Sequence, residues 1–257
     1  MSEINSSPIF DHPDRHVGFR GAFNFRDLGG YRGHGGKSVK WRTLFRADAL
    51  HRLDEVELDE LAALGMRSVL DLRTATEVDH GRIEADHLGI LHLHFPVLGQ
   101  AWEPKDLDPD ADAGDVLGSL YIEMLTVGAP ALANSLRTIA SLESLPAVFH
   151  CAAGKDRTGV LAAMVLSLVG VDEETIVGDY ALTGIAMDSL VERLKQDSPE
   201  ALTAMNDQPS AYLATPPEAM TMFLAHVNST YGSMTGYVNH IGIESDVIDS
   251  LQANLLD

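Results

Sequence analysis

Val148-Phe-His-Cys-Ala-Ala-Gly-Lys-Asp-Arg-Thr-Gly159 passes from one apolar run into another through a short loop of small and charged residues. Pro146–His150 is short, with apolar Ala147, Val148 and Phe149 at its centre, so it predicts a buried strand running directly into Cys151. Thr158–Val169 is longer, apolar throughout and closed by Gly170, so it predicts a helix. Strand, loop and helix in this order form the central unit of an α/β fold. Cys151 and Arg157 lie inside the loop with five residues between them. A loop of that length can turn its backbone N–H groups inward at the N-terminus of the following helix, forming an anion cradle of phosphate size. Gly154 permits a turn that a residue with Cβ resists, and Arg157 offers two parallel donors to anion oxygens. Ala152, Ala153, Gly154, Lys155, Asp156 and Arg157 are therefore the expected anion-binding residues.

The same cradle acts on the thiol. Helix N-termini and nearby cations favour the thiolate, so Cys151 is expected to be a nucleophile. A thiolate in line with phosphorus can displace an alkoxide or phenoxide, while the loop amides and Arg157 hold the equatorial oxygens. Thr158 is expected to donate its hydroxyl to the sulfur, and His150 to order the loop without transferring protons. A lone cysteine at the end of an apolar strand is ordinarily an inert core residue. That reading accounts for Val148, Phe149 and Cys151, but not for Gly154, Lys155, Asp156 and Arg157 in a row.

Working outward, residues 1–18 are polar with two prolines and read as an irregular arm. Asn24–Tyr31 leads into the glycine turn Arg32–Lys37, and Val39–Arg46 reads as a strand, so this region predicts a hairpin. Asp54–Leu64 has helical spacing ended by Gly65, and Ser68–Leu72 and Ile90–Val97 read as strands. Residues 99–115 read as a loop, and Val116–Leu125 and Ala131–Leu142 as helices. After Asp172 the chain reads as mainly helical, with 185–215 the least regular part and helices over 217–228 and 244–255. The pattern predicts a central sheet flanked by helices with a helical C-terminal half.

Composition sets the outer limits. The 257 residues carry a formal net charge of −20, which opposes general binding to nucleic acid or anionic lipid without excluding a small positive pocket. The single cysteine excludes an intrachain disulfide and a multi-cysteine metal site. Leu161–Val171 is too short to span a membrane. The N-terminal residues lack a basic run followed by an apolar stretch, so a cytoplasmic protein is expected, with leaderless export compatible with the same sequence.

His150-Cys-Ala-Ala-Gly-Lys-Asp-Arg-Thr158 resembles the His-Cys-x5-Arg-Ser/Thr signature of protein tyrosine phosphatases. With Gly-Lys-Asp inside the loop it is similar to the atypical bacterial branch. Asn24-Phe-Arg-Asp-Leu-Gly-Gly-Tyr31, Leu44-Phe-Arg-Ala-Asp48, Asp71-Leu-Arg73, Ile176-Val-Gly-Asp-Tyr180 and Thr230-Tyr-Gly-Ser233 extend the likeness over most of the chain. The resemblance implies one phosphatase domain over 1–257, a cysteine-dependent phosphatase fold, a phosphocysteine intermediate, and no metal or other cofactor. It also implies a broad range of phosphoprotein or small phosphoester substrates and a helical lid, for which 185–215 is the candidate.

The proton donor to the leaving oxygen stays open. The chain has no Trp-Pro-Asp tripeptide, which many tyrosine phosphatases use. Asp156 is the first choice, as the branch suggests. Asp71 is the second, with a salt bridge to Arg73 or Arg46 as its competing role, and Trp102–Asp106 the third. Arg26-Asp27 reads as a structural ion pair. Lys155 either binds a second phosphate, as a phosphoinositide phosphatase would require, or adds positive potential for one. A rhodanese-like sulfurtransferase and a non-catalytic phosphate-binding module are the readings from other classes.

Overall fold

The computed structural model describes residues 9–100, 111–197 and 213–257. Five strands form one sheet in the order β1-β2-β5-β3-β4: β1 (Arg26–Asp27), β2 (Leu44–Ala47), β3 (Ser68–Asp71), β4 (Leu91–His94) and β5 (Ala147–His150). β2, β5, β3 and β4 are parallel, and β1 joins the edge antiparallel to β2. Parallel strands are covered on both faces, and alternate residues here divide between two cores. Ala147 and Phe149 of β5 join one with Leu44 and Leu70, while Val148 joins the other with Phe45 and Val69.

The smaller core lies under α1 (Glu55–Ala63), which a reciprocal Asp54–Glu57 capping box starts. The larger core is built by α3 (Ala113–Val127), α4 (Ala129–Ala140), α5 (Asp156–Leu168) and α6 (Glu173–Ala181), with α8 (Pro217–Tyr231), α9 (Met234–His240) and α10 (Ser245–Leu255). α5 follows β5 and is buried from Arg157 through Leu166, as expected of a helix apolar on every side. Two more helices are α2 (Ala75–Val78), which follows β3, and α7 (Thr183–Asp197), which follows α6.

The fold class is the expected α/β arrangement, and the differences are local. β2 begins at Leu44 because Arg42 has φ +57, with its N–H held by Asp27 Oδ2 at 2.6 Å. The predicted hairpin survives as paired backbone bonds between Tyr31 and Val39 and between Gly30 and Val39. α5 starts two residues earlier than expected, which puts Asp156 and Arg157 in its first turn. α2 and α9 are additions to the expected set. Of the candidate lid, the least regular part of the expected helical half, residues 185–197 belong to helix α7, and 198–212 lie outside the described residues. In the N-terminal arm, residues 9–18 form no helix, yet Phe10 and Arg15 are buried. The Arg15 guanidinium sits 4.0 Å from the centroid of the Tyr31 ring. No single helix among the described residues is long and apolar enough to cross a membrane.

Candidate active site

β2, β5 and β3 end level, since Ala47 and Asp71 both pair with His150. Their loops leave side by side at the carboxyl edge of the sheet, where open α/β sheets place their ligand sites. Cys151 is the first residue beyond β5 and is only 2% exposed.

The backbone after Cys151 is held from outside. The Ala152 carbonyl accepts the Ala49 N–H at 3.0 Å. Asn24 Nδ2 donates to the carbonyls of Ala153 and Gly154 at 3.0 and 3.1 Å, and Arg46 Nη2 donates to Gly154 at 2.8 Å. A trans peptide points its N–H opposite its C=O. Fixing these three carbonyls therefore turns the amides of Ala153, Gly154 and Lys155 the other way. Gly154 has φ +67, and a Cβ there would lie 2.5 Å from the Ala47 carbonyl oxygen. Only glycine fits that crossing without displacing backbone. No side chain caps the start of α5.

Arg157 projects from the first turn of α5. Its Nη1 and Nη2 donate to Glu77 Oε2 and Oε1 at 2.5 and 2.8 Å. Burial alone would raise the Glu77 carboxyl, but the Arg157 hydrogen bonds and charge outweigh it and hold the group at about 2. Glu77 is itself fixed by a capping box, in which Thr74 Oγ1 accepts its N–H and its carboxylate accepts the Thr74 N–H. Sequence reasoning missed Glu77, although Thr74-Ala-Thr-Glu77 carries the capping-box signature that could have found it.

Asp156 accepts a hydrogen bond from Tyr121 Oη at 2.7 Å, and Lys155 Nζ lies 3.4 Å from its carboxylate. Tyr121 and Tyr180 share a hydroxyl hydrogen bond of 2.7 Å. The Lys155 ammonium also donates to the Ala214 carbonyl at 3.1 Å, and the residue is 3% exposed. His150 is fully enclosed. Burial, only partly offset by Asp71, pushes its imidazole down to about 4, so the ring is neutral at neutral pH. Its Nδ1 lies 3.1 Å from the Cys151 carbonyl, an arrangement in which Nδ1 carries the proton and donates. The Thr158 hydroxyl is buried and has no hydrogen-bond partner among the described residues, the sulfur included.

Asp71 is corrected. Arg73 Nη2 and Nε donate to its carboxylate at 2.6 and 2.9 Å, and His92 Nε2 lies at 3.3 Å. Burial raises its pKa, but these bonds and the neighbouring positive charges reverse the shift and hold it far below the ordinary carboxylate range. Clamped in this way, Asp71 fixes the ends of β3 and β4 to Arg73. Trp102–Asp106, the third choice, lies outside the described residues.

The Arg26–Asp27 pair is corrected too. Arg26 turns to Asp179, with Nε 3.0 Å from Oδ1, and Arg46 Nη1 reaches Asp179 Oδ2 at 2.6 Å. Tyr31 Oη donates to the same carboxylate at 3.0 Å, and Arg26 also bonds Asn24 Oδ1 and, at 3.2 Å, Thr183 Oγ1. Asp27 instead accepts the Gly29 and Arg42 N–H groups. Asp179 thus joins three sequence motifs beneath the loop. It lies inside Ile176–Tyr180, and only the pairing of distant elements reveals its part.

A thiol at the end of a central parallel strand, backed by oriented amides and faced by a fixed guanidinium, defines a cysteine-dependent phosphatase. Residues 17–257 match the sequence model of the tyrosine phosphatase family, and the chain belongs to that family. A tyrosine-protein phosphatase of Nostoc commune is 30% identical over 222 residues, covering 82% of this chain and 73% of the relative. The triple specificity protein phosphatase PtpB of Mycobacterium tuberculosis is 27% identical over 281 residues, covering 92% of this chain and 97% of its own. The crystal structure of P. aeruginosa TpbA covers 66% of this chain and 91% of its own at 16% identity, with a TM-score of 0.31.

Proposed function

We propose that the chain is a single phosphatase domain in which Cys151 attacks the phosphorus of a phosphomonoester. The S–P bond forms as the P–O bond to the leaving group breaks. Asp156 gives its proton to the leaving oxygen, then takes one from the water that hydrolyses the phosphocysteine. Arg157 and the amides after Cys151 hold the equatorial oxygens. The observation that carries this reading is Arg157, fixed by two bonds to Glu77 at the head of an uncapped helix directly after the cysteine.

The substrates are phosphotyrosine proteins, with phosphoserine, phosphothreonine and small esters as further substrates. The engaged Lys155 ammonium favours a single phosphate over the polyphosphate of a phosphoinositide. The net charge of −20 disfavours docking on an anionic bilayer or nucleic acid.

The test is p-nitrophenyl phosphate hydrolysis in excess chelator, which Cys151→Ser should abolish. Activity surviving in that variant would reject the mechanism. In the same assay Asp156→Asn should slow alkyl phosphates more than substrates with good leaving groups. An equal loss across leaving groups would remove Asp156 as the acid.

A further inference from the structure

Beside the loop lies a cleft of about 360 Å³ whose wall includes Phe23, His51, Arg52, His80 and Ala152. Ala152 is the residue after Cys151, so the cleft opens directly beside the nucleophile, within reach of residues that flank a phosphorylated side chain.

Most charged groups around the cleft are already engaged. Arg73 donates to Asp71 and to the carbonyls of Glu77 and Gly81. Glu77 holds Arg157. Asp48 accepts the Phe23 and Asn24 N–H groups. His80 Nδ1 lies 2.7 Å from the Thr76 carbonyl. Two groups stand apart. Arg52 is exposed; its charge acts on Asp48 and His51 across the cleft, but none of the described residues gives its guanidinium a hydrogen bond or a close ion pair. His51 Nδ1 is buried and has no hydrogen-bond partner among the described residues. In a chain with 38 acidic and 18 basic side chains, a guanidinium with no hydrogen-bonded partner among the described residues, set beside a phosphate loop, keeps its donors for a ligand.

We infer that this cleft is a specificity pocket, and that Arg52 selects substrates carrying an anionic side chain next to the phosphorylated residue. The anion is a carboxylate or a second phosphate, since either accepts two parallel bonds from a guanidinium. His51 lies on the same wall and offers a second polar contact. This inference rests on the phosphatase reading above. It adds that affinity for a peptide depends on a charge the reacting centre does not touch.

The experiment compares phosphotyrosine peptides with Ala, Glu or phosphoserine at each position within two residues of the phosphotyrosine. The readout is the ratio of kcat/KM for each anionic peptide to that for the Ala peptide, within the same enzyme. The native chain should prefer at least one anionic peptide about five-fold through KM, and the preference should shrink as salt is raised. Arg52→Gln should bring that ratio to about one, and Arg52→Lys should restore part of it, because a lysine keeps the charge but loses the fork. If Glu is preferred and phosphoserine is not, the pocket reads a carboxylate; the reverse pattern assigns it to phosphate. Equal ratios in the native chain, or a preference that survives Arg52→Gln, would overturn the inference. Cys151-dependent turnover of p-nitrophenyl phosphate in the same preparation keeps that failure distinct from a failure of the phosphatase reading.

Discussion

Replacing Glu77 with Gln separates two roles that its contact with Arg157 admits. If Glu77 orients the guanidinium, its loss frees Arg157 to wander and weakens its grip on phosphate. If Glu77 competes for the guanidinium, its loss makes the grip tighter. The magnitude follows from the carboxyl being held at about 2 instead of 4.5. That shift corresponds to about 3 kcal/mol of preference for the charged form. Gln keeps one acceptor for Arg157 but loses the charge, so roughly half of the interaction, about 1.5 kcal/mol, should go. The expected result is a fall in kcat/KM of about ten-fold for p-nitrophenyl phosphate, with weaker competitive inhibition by inorganic phosphate. Unfolding in urea should show a loss of similar size at neutral pH. Because the folded pKa lies below the unfolded one, this stabilisation is complete above the unfolded value and disappears as pH falls toward the folded value. The variant should therefore lose less stability than the native chain on acidification through that window. Phosphate inhibition that is unchanged or tighter in Glu77→Gln would refute the orienting role.

Two more perturbations test the frame around the loop. Gly154→Ala adds a Cβ 2.5 Å from the Ala47 carbonyl oxygen at a φ of +67, so the loop must move. It should lower kcat about a hundred-fold while costing roughly 1–3 kcal/mol in urea unfolding; normal kcat would reject the claim that the crossing sets the cradle. His150, pushed down to about 4, is neutral when folded and takes a proton on unfolding below its ordinary value of 6.5. It contributes stability that is lost as pH falls through that window, about 2 kcal/mol between pH 7 and pH 5. Asp27 and Asp48, both raised to about 6 by burial, act in the opposite direction. The comparison is therefore between the native chain and His150→Gln, whose unfolding free energy should fall less over that range; parallel pH slopes would show that the ring is not buried neutral.

The central unit was legible because its signals are local. An apolar strand, a loop with glycine and charges, and an apolar helix follow one another within a few dozen residues. Periodicity likewise marked most helices within a few positions. What was not legible depends on pairing across the sheet. A strand-end aspartate reads the same in sequence whether it is free or clamped, so Asp71 admits both an acid role and a salt bridge to Arg73 or Arg46. Only the neighbouring His92 on β4 and the return of Arg73 show that it is clamped. Arg26 was assigned to its neighbour Asp27, yet adjacent residues of a strand point to opposite faces, and its partner lies 153 residues away. Glu77 is the instructive middle case: its capping box was local, but its hold on Arg157 required the third dimension.

Asp179 has a consequence for how the enzyme comes into being. Arg46, which grips the Gly154 carbonyl, is neutralised by a carboxylate on α6, beyond the loop it supports. Arg26, which steadies Asn24, depends on the same carboxylate. A growing chain that has emerged through Arg157 therefore holds every reacting group but not the anchor that shapes their loop. The nucleophile exists before the enzyme does, and catalytic competence arrives only when α6 docks.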